Sequence, residues 1–154
     1  MAIFSDIHAP YHSREALTAA IEWSKASFPT HVVLNGDTID LGTISRHPQE
    51  KGKKSLSEEI KATQVLLEII REEFSEAKIY YKLGNHEKRF ELKLMASLPE
   101  FADLISLGQA LRLKDFDMEL VDAHQIIRAG KLNIIHGHEY YGGGLHAAYN
   151  TLLS

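Results

Sequence analysis

Ile79-Tyr80-Tyr81-Lys82-Leu83-Gly84-Asn85-His86-Glu87 reads as a strand, a tight turn and the start of a helix. The apolar and aromatic run supplies the strand. Gly84 allows a turn where a Cβ would clash. Asn85 offers a neutral carbonyl oxygen to a metal, and His86 offers an imidazole able to move a proton near neutral pH. Three other stretches repeat this plan, an apolar run ending in polar, metal-binding side chains. They are Ser5-Asp6-Ile7-His8, Asn35-Gly36-Asp37-Thr38-Ile39-Asp40 and His136-Gly137-His138.

Between these stretches the chain alternates strand and helix patterns. Ala2-Ile3-Phe4 predicts a short buried strand. Ser13 predicts a cap for a helix to about Ala26, with Leu17, Ala20, Ile21 and Ser24 on one face and Pro29 beyond its end. His31-Val32-Val33-Leu34 has the β-branched character of a central parallel strand. Residues 41–54 read as a polar loop. Ser55 and Glu58 form a capping box ahead of a helix whose apolar pattern includes Ile60, Leu67, Ile70 and Phe74. A further helix runs from Glu87 to about Ser97, before Pro99. Residues 101–113 carry helical pattern interrupted by Gly108. Glu119-Leu120-Val121 suggests a strand. Residues 125–128 and 131–135 read as a hairpin about Ala129-Gly130, and 145–153 as a final helix.

Alternating strands and helices imply an α/β domain with a mostly parallel sheet. Ligands of such sheets gather at the carboxyl ends of the strands, which is where all four polar motifs fall. This geometry joins them into one candidate site.

Composition narrows the classes. The 154 residues suffice for one domain with a core, and a net charge of -4 advertises no strongly basic surface. The absence of cysteine excludes disulfides and thiolate metal sites and makes a cytoplasmic setting the expectation. No long apolar run suggests a membrane span. Asp, His and Asn together suit a borderline first-row divalent ion such as Mn, Fe, Zn, Co or Ni, rather than an all-oxygen calcium cage. A two-metal site activates water for phosphoryl displacement, and a nearby histidine is the natural proton donor to the leaving group.

Asp6-Ile7-His8, Gly36-Asp37-Thr38-Ile39-Asp40, Gly84-Asn85-His86-Glu87 and His136-Gly137-His138 together resemble the calcineurin-like metallophosphoesterase family. The resemblance spans nearly the whole chain. It implies an αββα sandwich and a hydrolase of phosphomonoesters or phosphodiesters. It also implies that Asp6 and His8 bind one metal, that Asp37 bridges two, and that Asn85 and His136 bind the second. His86 resembles the general acid, Asp40 the carboxylate that orients it, and a bridging hydroxide the nucleophile. Manganese is the expected ion.

One departure stands out. The family's last motif, G-H-x-H, does not follow residue 138, so the expectation is a single domain over 1–154 that is incomplete at its C-terminus. His138 and His146 are candidates to stand in for the missing histidines. Arg89 and Arg46, beside His47, are candidates for gripping substrate phosphate, against the plainer reading of solvated arginines. Related protein phosphatases often carry Arg directly after G-D-x-x-D; Leu41 stands there, which argues against a protein substrate.

Plainer readings accompany the rest. Asp6 with His8 could be a capped strand end, Asp37 with Asp40 an Asx turn, and Asn85 a left-handed turn residue. Glu87 reads as a first-turn acid at the helix dipole. Lys51, Lys53 and Lys54 read as a solvated loop. His12, His31 and His124 read as structural or surface residues. Trp23, Tyr80, Tyr81, Tyr140 and Tyr141 read as core and rim. The expected substrate is a small molecule or a nucleic-acid end, with pairing between two copies along a sheet edge as a further expectation. A domain that keeps the fold but only binds or scaffolds is the reading from another class.

Overall fold

A computed structural model describes residues 1–45, 54–102 and 104–139. Four parallel strands form one sheet in the order β1-β2-β3-β4: Ala2–Phe4, His31–Asn35, Lys78–Lys82 and Met118–Val121. A second sheet is the antiparallel hairpin β5, Ile127–Ala129, and β6, Leu132–Ile134. The helices are α1, Arg14–Lys25; α2, Leu56–Glu73; α3, Asn85–Ser97; and the single turn α4, Leu107–Ala110. Two sheets with helices agree with the expected α/β class.

The register explains the core. Phe4 pairs with Leu34, Leu34 with Tyr81, and Val32 with Ile79. Alternate residues of a strand share a face, so these side chains line up across the sheet. They pack with Ile21 of α1 and with Leu66, Leu67 and Ile70 of α2. Val32, Val33 and Leu34 are fully buried, and each contributes about 1.5–3 kcal/mol of burial. Both predicted caps are present. The Ser13 hydroxyl accepts from Ala16 N–H, and Ser55 and Glu58 close the capping box.

Several expectations need correction. Among the described residues of 101–113 only Leu107–Ala110 is α-helical; Phe101 ends a 3-10 turn and residues 111–113 form a turn, with Arg112 at φ +57°. Trp23 is neither core nor rim: α1 fully buries only Ile21, and Trp23 is 81% exposed. Ala20 is exposed as well. Tyr81 is fully buried as expected. Arg46, His47, Lys51, Lys53, Tyr140, Tyr141, His146 and the helix over 145–153 lie outside the described residues.

Candidate metal centre

The loops that follow β1, β2 and β3 meet at the carboxyl end of the sheet. Backbone bonds zip the first two together. Asp6 N–H donates to Gly36 O, His8 N–H to Asp37 O, and Ala9 N–H to Thr38 O. Asp6, His8 and Asp37 take up left-handed backbone, φ +56°, +55° and +52°. Three non-glycine residues in this region store local strain, which accumulates where function fixes a side chain.

The third loop docks on the second without room to spare. A Cβ on Gly84 would stand 2.2 Å from Asp37 Oδ1, and one on Gly36 2.6 Å from His136 Nδ1. Gly84 has an ordinary extended φ of -96°, so close approach rather than turning is what requires glycine there. Gly36 needs it twice, for the contact and for its φ of +82°.

Glu87 secures this docking, and its reading as a simple first-turn acid falls short. It is fully buried. Its carboxylate accepts N–H groups of Asp37 at 2.9 Å, Thr38 at 2.8 Å and Gly84 at 2.9 Å, and the Tyr81 hydroxyl at 3.1 Å. Burial raises the Glu87 pKa, with the Asp37 charge adding to it, and the N–H donors oppose that shift. Because all these partners are donors, they favour the carboxylate form.

Asp37 is the centre of the cluster. Its Oδ2 lies 3.9 Å from His8 Nε2, 3.7 Å from His86 Nε2 and 3.4 Å from His136 Nε2. Its Oδ1 accepts the His86 backbone N–H at 2.9 Å. Burial acts to raise its pKa, but the hydrogen bond from His136 and the N–H of His86 bring the net shift downward.

His136 is held by both ring nitrogens. Its Nδ1 is 2.7 Å from Asn35 O, which fixes a proton there. Its Nε2 then faces Asn85 Oδ1 at 3.1 Å and Asp37 Oδ2 at 3.4 Å. The hydrogen bond to Asp37 pushes the His136 pKa up to about 9, above the ordinary imidazole range. Asn85 occupies the first turn of α3 rather than a left-handed turn.

Asp40 approaches His86 through both its carboxylate and its main chain. Its Oδ1 is 3.3 Å from His8 Nδ1 and 3.7 Å from His86 Nδ1. The closer partner of His86 is the Asp40 main-chain carbonyl, 2.5 Å from Nδ1. So short a contact to a carbonyl places the proton on Nδ1 and directs Nε2 toward Asp37. Arg89 Nη1, 3.1 Å from that nitrogen, therefore shares the Asp40 carbonyl at 3.4 Å instead of donating to the ring. Burial lowers the His86 pKa.

The donor set fits divalent cations. Ligand atoms of Asp6, His8 and Asp37 lie within 4.8 Å of one another, and so do those of His8, Asp40 and His86. His8 Nδ1 is buried without a hydrogen bond. Asn85, His136 and Asp37 converge beside them. Mixed carboxylate, amide and imidazole donors match borderline first-row ions. The His138 ring packs edge-on against that of His136, 5.2 Å between centroids, and lies 5.9 Å from that of His124. Arg89 lies at the site's edge.

Sequence reasoning missed two residues, Lys82 and Glu139. Lys82 is a fully buried cation at the end of β3, 3.0 Å from Glu139 Oε1. Glu139 in turn accepts the N–H groups of His136 and Gly137. Burial acts to raise the Glu139 pKa, yet these donors and Lys82 bring it down to about 2. A lysine inside an apolar strand run was the available signal.

Comparison with family models gives a match to calcineurin-like phosphoesterase over residues 1–150. No curated protein and no solved structure matched in the corresponding searches. The converging histidines and carboxylates and the nearly full-length match lead to one conclusion: the chain belongs to the calcineurin-like phosphoesterase family.

Proposed function

We propose that this chain hydrolyses phosphomonoesters or phosphodiesters with two divalent ions, manganese foremost. The observation that carries the reading is the convergence of His8, His86 and His136 on one oxygen of Asp37, all within 3.9 Å. Asp6 and His8 would hold one ion and Asn85 and His136 the other, with the Asp37 carboxylate available to both. When bound, such ions supply an activated hydroxide and steady the charge on the phosphoryl oxygens.

The chain's own groups do the remaining work. In its doubly protonated form His86 carries on Nε2 the proton that the leaving oxygen takes up. The Asp40 carbonyl holds the His86 ring from Nδ1, so Nε2 is the nitrogen turned toward the reacting groups. Arg89 offers a planar, permanently charged donor to a phosphate arriving beside His86. The substrate class is a small or end-exposed phosphoester, such as a nucleic-acid end. Among the described residues no helix is long and apolar enough to cross a membrane.

The test is hydrolysis of 4-nitrophenyl phosphate and bis(4-nitrophenyl) phosphate by the metal-loaded chain. Manganese-dependent turnover of either ester supports the proposal. Saturable metal binding with no turnover of any phosphoester moves the protein to the binding and scaffold class.

A further inference from the structure

Lys82 and Glu139 hold the backbone behind one of the rings that face Asp37 Oδ2, that of His136. The Lys82 ammonium donates to Ala123 O at 2.9 Å and Gln125 O at 2.7 Å, lies 3.3 Å from Asp122 O, and pairs with Glu139 at 3.0 Å. It thus pins the loop after β4 to the end of β3. The Glu139 carboxylate spans the two peptide groups that flank His136. Oε1 accepts the His136 N–H at 2.8 Å and Oε2 the Gly137 N–H at 2.6 Å. Gly137 sits at φ +114°, a conformation that L side chains rarely adopt.

A buried ion pair is a weak way to stabilise a fold, because desolvation offsets most of its attraction. What this pair provides is direction. A carboxylate fixed by a buried cation presents two oxygens to two adjacent N–H groups. That leaves the His136 ring one orientation, Nδ1 on Asn35 O and Nε2 toward Asn85 and Asp37. Strand β3 continues directly into Gly84-Asn85-His86, so one strand end governs both sides of the Asn85–His136 pair.

We propose that Lys82 and Glu139 are positioning residues that preset His136 for a divalent cation, so that removing the clamp weakens metal binding at Asn85–His136 while leaving the fold in place. This rests on the metal-binding reading above, though not on turnover. Partners of ligating histidines commonly control metal affinity by roughly 10–100-fold.

The test uses the full chain carrying Lys82→Met with Glu139→Gln, which removes both charges and strands neither. Three quantities are measured: the melting temperature, amide hydrogen exchange of His136 and Gly137 without metal, and Mn(II) affinity by calorimetry. The expected result is cooperative melting, exchange at these two amides at least about tenfold faster relative to β2 and β3 amides, and one Mn(II) site weakened by about 10–100-fold. Unchanged relative exchange or unchanged affinity overturns the proposal. Glu139→Asp covers the case in which the double variant does not fold. It keeps the charge opposite Lys82 but shortens the reach to the N–H groups, and it is expected to show the same two losses. Its failure to show them also overturns the proposal. A chain that binds Mn(II) as described but hydrolyses no phosphoester would overturn the proposed function alone.

Discussion

The Glu87 carboxylate accepts the backbone N–H of Asp37 at 2.9 Å, tying the first turn of α3 to the loop that carries the central carboxylate of the site. The same carboxylate also holds Thr38 and Gly84. Glu87→Gln replaces one acceptor oxygen with an NH2 group facing N–H donors. Each buried donor left unsatisfied costs about 1–3 kcal/mol, so urea unfolding should show a loss of at least about 2 kcal/mol. An unchanged midpoint would mean that the loops hold one another without Glu87.

Gly36 is the point where the second loop meets His136. Gly36→Ala places a methyl 2.6 Å from His136 Nδ1 and demands left-handed backbone at φ +82°. His136 must then give up Asn35 O. We expect Mn(II) affinity to fall by at least about tenfold, together with about 1–2 kcal/mol of backbone strain. Wild-type affinity in a stably folded Gly36→Ala chain would show that the His136 position does not matter to the metal.

The raised pKa of His136 makes a signed prediction for the metal-free chain. Its folded value of about 9 lies above the ordinary 6.5. Its contribution to stability is therefore fully present below 6.5 and is lost as pH rises through about 9. Melting temperature in the presence of chelator should decline across that window, and His136→Gln should flatten the decline. A cation entering the site must displace the Nε2 proton. Calorimetry in buffers of different ionisation enthalpy should accordingly detect proton release on Mn(II) binding at neutral pH. No proton release would contradict the assignment of His136 as a ligand.

His86→Ala separates proton donation from metal binding. A general acid contributes about 10²–10⁴-fold when the leaving group is poor and little when it is already stable. Alkyl phosphoesters should lose that much turnover, 4-nitrophenyl esters far less, and Mn(II) stoichiometry should hold. Equal losses for both ester types would remove His86 from that role.

Much of this arrangement was legible in the sequence, because strand periodicity and polar strand ends are local signals. Val32-Val33-Leu34 and the Ser55–Glu58 box behave as their residue types dictate. What escaped was non-local. Glu87 looks like any first-turn acid until the Asp37 and Thr38 N–H groups, some fifty positions away, arrive at its oxygens. Lys82 was visible as a charge in an apolar strand, but its partners come from the loop after β4 and from Glu139. Asp40 was assigned through its carboxylate, whereas its main-chain carbonyl is the closer contact to His86, a distinction that no side-chain pattern carries. The helical reading of 101–113 held for one turn because apolar residues there pack from successive turns: Leu107, Leu111 and Leu113 are buried although only four of the described residues are α-helical.

The most direct measurement is Mn(II) stoichiometry for the wild-type chain and for Asp37→Asn. Asparagine tolerates the left-handed backbone at φ +52° and keeps an oxygen for the His86 N–H, so the fold should survive the change. The account predicts two ions per wild-type chain and loss of the pair in Asp37→Asn with cooperative melting retained. Fewer than two ions in the wild type, or equal binding by the two proteins, would contradict it.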